Sequence, residues 1–225
     1  DKMKYVGSKN RLAKELVPII QSYINEDVKG YIEPFVGGAN IIDKIKCDNK
    51  IGYDFHKQLI ALLQHVQMNV NDLPNTISEE EYKKVKYNRE AYPDWYVGLV
   101  GFCASYSAIY FDTYARSYKN DGVTPRDMPN EAIRNLIKQA PKLKDIKFEC
   151  KDFREIKDLN NYVIYCDPPY KSTIKYNRAE FPYEEFYDWC REMSKNNIVL
   201  ISGYWMPDDF KCIWEKEHIY DSIAT

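Results

Sequence analysis

At 225 residues, with 44% hydrophobic residues and no long apolar run, the chain is long enough for one large domain with a proper core and has no membrane-spanning stretch. A formal net charge of −2 gives no overall attraction for a polyanion, so any nucleic-acid contact must come from a local patch. Six dispersed cysteines without a Cys-x-x-Cys pair, and three histidines without ligand spacing, read as reduced thiols in a cytosolic chain with no metal site.

Asp1-Lys2 precedes Met3, which reads as the natural start, and no charged-then-apolar leader follows. Lys4-Tyr5-Val6-Gly7-Ser8-Lys9 is a short loop in which Ser8 suits a helix N-cap. Leu12, Leu16, Ile19, Ile20 and Tyr23 predict a helix from Lys9 to about Tyr23, bent or interrupted at Pro18. Gly30 to Ala39 then predicts a short strand ending in Glu33-Pro34, a paired-glycine turn, and a helix from Asn40 to Lys46. That is the strand–turn–helix order of a nucleotide site, without the full Gly-x-Gly-x-x-Gly spacing. A tight turn needing glycine for geometry alone is the lesser alternative for these residues. Ile51-Gly52-Tyr53-Asp54 is a second strand. Its terminal acid lies about 20 residues after Glu33, the offset at which such sheets place a carboxylate on ribose hydroxyls. Phe55 follows, in position to stack on an adenine ring.

From His56 to about Asp145 the strand pattern disappears. Gln58 to Asn69, Ser78 onward with its capping box, Asp94 to Ser107, and Asn130 to about Ala140 read as helices, the last ended by Pro141. Asp121-Gly122 signals a hairpin turn within a polar, aromatic stretch from Tyr110 to Arg126. A mild basic excess between Glu81 and Lys151 includes Arg116, Lys119, Arg126 and Arg134. The whole stretch, 56–145, reads as an inserted, mainly helical subdomain carrying a hairpin, flanked by 1–55 and 146–225 as one α/β unit.

Strands resume at Lys147 to Cys150, followed by Asp152-Phe153, and at Tyr162 to Cys166, followed by Asp167-Pro168-Pro169-Tyr170. Tyr183 to Lys195 predicts a helix, Ile198 to Gly203 a strand, and Asp209 to Lys216 a helix. One or two further sheet-closing strands would be expected beyond Thr225. The two prolines after Asp167 stiffen the backbone at the carboxyl end of a strand, where open α/β sheets bind ligands. A carboxylate and a proline carbonyl fixed there suit an exocyclic base amine. Accepting both N–H groups favours a pyramidal nitrogen whose lone pair is free to attack, and Tyr170 offers a face for an unstacked base. An ordinary strand-ending turn is the bland alternative.

Four acids, Glu33, Asp54, Asp152 and Asp167, thus fall at predicted strand ends. At this point the chain resembles the Dam-type DNA adenine methyltransferases, especially phage and prophage forms. The resemblance rests on Tyr5-Val6-Gly7-Ser8-Lys9, Glu33-Pro34-Phe35-Val36-Gly37-Gly38, Asp54, Asp152-Phe153 and Asp167-Pro168-Pro169-Tyr170, and it spans nearly the whole chain. It implies a Rossmann-like class I methyltransferase fold, mostly parallel, with S-adenosylmethionine as cofactor and S-adenosylhomocysteine as product. Carried over, Tyr5, Lys9, Glu33, Pro34, Phe35, Gly37, Gly38 and Asp167 would belong to the cofactor site, with Phe35 and Gly37 along the methionine part. Asp54 would take the ribose hydroxyls, and Asp152 the adenine amine with Phe153 against its ring. Asp167 and the Pro168 carbonyl would hold the target amine, and Tyr170 would stack on the flipped base. Arg116, Lys119, Asn120 and Arg126 on the hairpin would contact duplex DNA.

Ala39 stands where many relatives have a third glycine, which is tolerable if its φ is negative. The expected reaction is direct displacement with no covalent enzyme intermediate, in the cytoplasm of a bacterial or phage-infected cell, by a monomer or weak dimer. Cytosine N-4 or an RNA base as acceptor, and an inactive DNA-binding module, remain the alternatives.

Overall fold

A computed structural model describes residues 12–169 and 181–215. Its strands are β1 (Gly30–Glu33), β2 (Lys50–Asp54), β3 (Arg116–Tyr118), β4 (Pro125–Asp127), β5 (Ile146–Cys150), β6 (Tyr162–Cys166) and β7 (Ile198–Ile201). Five of them form one sheet in the order β5-β2-β1-β6-β7, and every pairing in it is parallel. The chain builds outward from β1 through β2 to β5, then returns to lay β6 on the other side of β1. The β1/β6 boundary is therefore the topological switch point, where such sheets open a crevice at the strands' carboxyl ends.

The apolar content of the strands follows from this placement. All four residues of β1 are buried, as a strand covered on both faces requires. Tyr31 faces one core, shared with the helices α2 (Lys57–Asn69), α4 (Asp94–Cys103) and α5 (Met128–Leu143). Ile32 faces a second, shared with α6 (Tyr183–Met193). Helices thus cover both faces of a parallel sheet, the Rossmann-like α/β arrangement expected. The first core runs without a break from the sheet into α3 (Glu79–Tyr87), through Tyr82 and Val85. β3 and β4 pair antiparallel as the hairpin, with Gly122 at φ 70° in its turn, a backbone conformation that glycine adopts without strain.

Three predicted boundaries are corrected. α1 (Ala13–Ser22) runs through Pro18, and α5 runs through Pro141 to Leu143. Each proline removes one helical donor, but buried side chains lie on both sides of it: Leu16 and Ile20 in α1, Leu136 and Leu143 in α5. Burying each such side chain contributes about 1.5–3 kcal/mol, enough together to offset a proline penalty of about 3 kcal/mol. The predicted helix at Asp209 is absent. Residues 208–210 form a turn, and the Asp209 carboxylate is held by Arg191 of α6 at 2.8 and 3.0 Å instead of starting a helix.

α2 and α4 cross at Gly98, where a Cβ would stand 2.2 Å from the Gln58 carbonyl oxygen. That atom is backbone and cannot yield cheaply. Gly98→Ala is expected to destabilise the protein by about 2–3 kcal/mol, read as a lower urea midpoint with an unchanged slope.

Candidate active site

The parallel strands carry their acids to one edge. Glu33 is the last residue of β1 and Asp54 the last of β2; Asp167 follows β6 directly, and Asp152 lies two residues beyond β5. Glu33 is 3% exposed and accepts a hydrogen bond from the Tyr31 hydroxyl at 2.7 Å. The two are i and i+2 on one strand and so share a face. Burial pushes the Glu33 carboxyl up to about 8; the Tyr31 hydrogen bond opposes this, and the nearby charges of Asp167 and Asp43 add to it. A buried acid at a switch point with a carboxyl shifted this far is a candidate functional group.

The glycine turn after Pro34 is fastened to the neighbouring strand. Val36 N–H donates to the Tyr53 carbonyl at 2.8 Å, and Gly37 N–H donates to Asp54 Oδ2 at 3.2 Å. Asp54 Oδ1 accepts from His56 N–H at 3.0 Å. Asp54 therefore ties together the two loops that leave β1 and β2. Gly37 has φ 51° and Ala39 φ 57°. The condition set for Ala39 fails: its φ is positive, and it is fully buried. The left-handed conformation carries roughly 1–2 kcal/mol of strain for alanine.

What holds the turn there is Gln139 of α5, a residue no local sequence signal marks. Its buried side-chain amide donates toward the Gly38 carbonyl at 3.0 Å, the Ala39 carbonyl at 3.3 Å and Asp43 Oδ2 at 3.2 Å. The predicted helix from Asn40 to Lys46 shrinks to a single turn at Ile42–Lys44, after which Ile45 is extended at φ −75° and ψ 132°.

Asp152 caps a short turn, accepting from Arg154 N–H at 2.9 Å, while Glu155 reaches back to Asp152 N–H at 2.8 Å. It stays partly exposed. Phe153 is buried, its ring 5.9 Å from Phe35 and 5.6 Å from Phe186. Phe35 and Phe153, both expected in the cofactor site, are thus joined in one aromatic cluster between the tips of β1 and β5. Phe55 is 54% exposed just beyond Asp54.

Asp167 is partly exposed at the tip of β6, Pro168 is buried, and Pro169 is exposed. The corner is held from both sides. Ser202, just after β7, donates to Asp167 Oδ1 at 2.9 Å, and the Tyr183 hydroxyl at the start of α6 donates to the Pro169 carbonyl. The Tyr165 hydroxyl in turn donates to Ser202 Oγ at 3.0 Å, and no local sequence signal marks Tyr165 or Tyr183. Only Ser202 carries a signal, as the first polar residue after an apolar strand.

The hairpin residues Arg116, Lys119 and Asn120 are exposed, and Arg126 is 42% exposed at its side chain. Arg116 forms a two-pronged pair with Glu79 of α3, its Nε 2.9 Å from Oε2. Arg126 does the same with Glu131 at 2.7 and 2.6 Å. Hydrogen bonds from Arg116 and then Lys83 hold the Glu79 carboxyl down at about 2. Tyr5, Lys9 and Tyr170 lie outside the described residues.

Sequence comparison places this geometry in a family. The family model for the D12 class N6 adenine-specific DNA methyltransferases matches residues 5–224. Among curated relatives, the Type II methyltransferase M.FokI of Planomicrobium okeanokoites is 24% identical over 213 positions, covering 84% of this chain but 31% of its own length. M.MjaIII of Methanocaldococcus jannaschii is 24% identical, with 99% of this chain and 90% of the relative covered. M.CviBI of Paramecium bursaria Chlorella virus NC1A is 25% identical, with 89% and 82% covered. The chain spans about a third of the first of these and most of the other two. With a match across nearly its full length, the chain belongs to the D12 class of N6 adenine-specific DNA methyltransferases.

Proposed function

We propose that the chain transfers a methyl group from S-adenosylmethionine to the 6-amino group of an adenine flipped out of duplex DNA. The observation that carries this reading is the meeting of two acids at the β1/β6 switch point. One, Glu33, is buried; the other, Asp167, is partly exposed on a corner stiffened by prolines.

The residues fit the cofactor. Glu33, sealed from water, suits the ammonium of the methionine part. The Gly37 turn, φ 51°, lets backbone approach closely. Asp54 at the tip of β2 suits ribose hydroxyls, and Phe35, Phe153 and Phe55 supply apolar faces. The cofactor supplies an electrophilic sulfonium methyl. Asp167 and the Pro168 carbonyl accept the two N–H groups of the target amine and hold its nitrogen pyramidal. Tyr170 stacks on the base. Positioning carries much of the rate advantage. The methylated nitrogen is acidic enough to release its proton without a buried base.

The test is to incubate DNA with the protein and methyl-labelled cofactor, digest to nucleosides and separate them. Label in N6-methyl-2′-deoxyadenosine is expected; label in N4-methyl-2′-deoxycytidine would mean the alternative acceptor. The three relatives are all Type II methyltransferases by name, which supports a defined recognition sequence.

The hairpin is assigned to that recognition. Arg116 and Arg126 present planar forks, the geometry that reads guanine O6 and N7. In the free protein each fork faces a glutamate, so DNA must displace Glu79 or Glu131 to gain it. Glu79→Gln is expected to tighten binding to all sequences alike. Arg116→Ala should weaken binding to the recognition sequence by about 1–3 kcal/mol if it reads a base, or lower the salt slope by about one if it meets a phosphate. Fluorescence anisotropy across a salt series distinguishes these outcomes. No change in either variant would remove the hairpin from the interface.

A further inference from the structure

We infer that Ser202, itself oriented by Tyr165, is a positioning residue that fixes the rotation of the Asp167 carboxylate for the target amine. The inference rests on the proposed role of Asp167.

The arrangement follows from strand register. β6 and β7 pair in parallel with Cys166 opposite Ile201, so the next residues along, Asp167 and Ser202, leave their strands side by side. The ladder continues one bond further: Ser202 N–H donates to the Cys166 carbonyl at 3.0 Å, which locks the serine backbone relative to β6. Its hydroxyl donates to Asp167 Oδ1 at 2.9 Å. A serine hydroxyl has one proton, and the other acceptor in reach, the Cys166 carbonyl, is farther away at 3.5 Å. The Tyr165 hydroxyl donates to Ser202 Oγ at 3.0 Å. Tyr165 lies on β6 two residues before Asp167, and it is 4% exposed. Three groups thus form a one-way chain, phenol to hydroxyl to carboxylate.

The carboxylate torsion of an aspartate is broad. The Ser202 hydroxyl engages Oδ1, one of the two oxygens that this torsion turns. Anchoring one oxygen sets the plane in which the carboxylate meets its ligand before substrate arrives, and that is the condition under which such acceptors accelerate a reaction most. The Tyr183 hydrogen bond to the Pro169 carbonyl fixes the other end of the same corner. Ser202 touches neither substrate nor cofactor in this scheme. It acts through Asp167.

The test compares Ser202→Ala, Ser202→Thr, Tyr165→Phe and Asp167→Ala in single-turnover methylation at saturating duplex DNA and S-adenosylmethionine, with cofactor and DNA affinities measured alongside. Ser202→Ala is expected to slow transfer about tenfold, the effect of one hydrogen bond to a charged group, with both affinities within about twofold of wild type. Ser202→Thr, which keeps the hydroxyl, should recover most of the rate, and Tyr165→Phe should fall between. A Ser202→Ala protein at wild-type rate, a threonine variant as slow as the alanine one, or a loss that follows cofactor affinity would overturn the inference. If Asp167→Ala is inactive while Ser202→Ala is unimpaired, the positioning role fails alone. If Asp167→Ala is fully active, the reading of the site fails and takes this inference with it.

Discussion

An Asp167→Ala protein is expected to bind S-adenosylmethionine at close to wild-type affinity and to methylate DNA at least about a thousandfold more slowly, the upper end of losses seen when a single preorganised charge-stabilising group is removed. The separation of effects follows from placement. Asp167 is partly exposed at the tip of β6, whereas the groups suited to the cofactor lie on β1, on β2 and in the glycine turn. Calorimetry would report the affinity and single-turnover kinetics the rate. Asp167→Asn would sharpen the result: it keeps one acceptor oxygen but loses the charge, and should stay severely impaired. A variant turning over near the wild-type rate would remove Asp167 from the chemistry.

The second large effect concerns Glu33 and has two opposite signs. Its carboxyl is pushed from 4.5 to about 8 in the folded chain, by burial first, with Tyr31, Asp43, Lys44 and Asp167 as its charged and hydrogen-bonding neighbours. The folded chain therefore keeps a proton that the unfolded chain releases. Below pH 4.5 both states hold it and no difference arises. Between pH 4.5 and 8 stability falls as pH rises, and above 8 the full penalty is present, on the order of 4–5 kcal/mol for a shift this large.

Glu33→Gln keeps an oxygen for the Tyr31 hydroxyl and removes the titration. It should match wild type near pH 4.5 and exceed it in urea midpoint at pH 8.5. The same variant should bind S-adenosylmethionine about a hundredfold more weakly, because the ammonium loses its carboxylate. In the wild-type protein, cofactor affinity should rise with pH up to about 8, since binding expels the Glu33 proton. Calorimetry in buffers of different ionisation enthalpy would count that proton. A Glu33→Gln protein with wild-type affinity and wild-type pH dependence of stability would contradict both halves.

The strand tips were the most legible part of the chain. Tyr162 to Cys166 is an apolar run cut off by an acid and two prolines, and a strand with that ending has few other conformations open to it. Gly30 to Glu33 and Lys50 to Asp54 were readable for the same reason, and Asp121-Gly122 because its glycine takes a positive φ. The misread positions share a different cause. Pro18 and Pro141 carry a local penalty that burial of their neighbours outweighs. Ala39 has a positive φ that alanine disfavours, in a turn gripped by Gln139 from a hundred residues away. Asp209 has its carboxylate on Arg191 rather than on a helix terminus. Each depends on a partner distant in sequence, which no window of neighbouring residues contains. Ser202 lies between these cases: its strand was predictable, but its register against β6, which places it beside Asp167, was not.

The central claim is that the sheet's switch point brings a methyl donor and a base amine together across the tips of β1 and β6. A crystal structure with S-adenosylhomocysteine tests it most directly. The homocysteine ammonium is expected on Glu33, the ribose on Asp54, and the sulfur facing the Asp167 corner. A nucleoside bound on another edge of the sheet, or a sulfur screened from Asp167 by intervening protein, would contradict it.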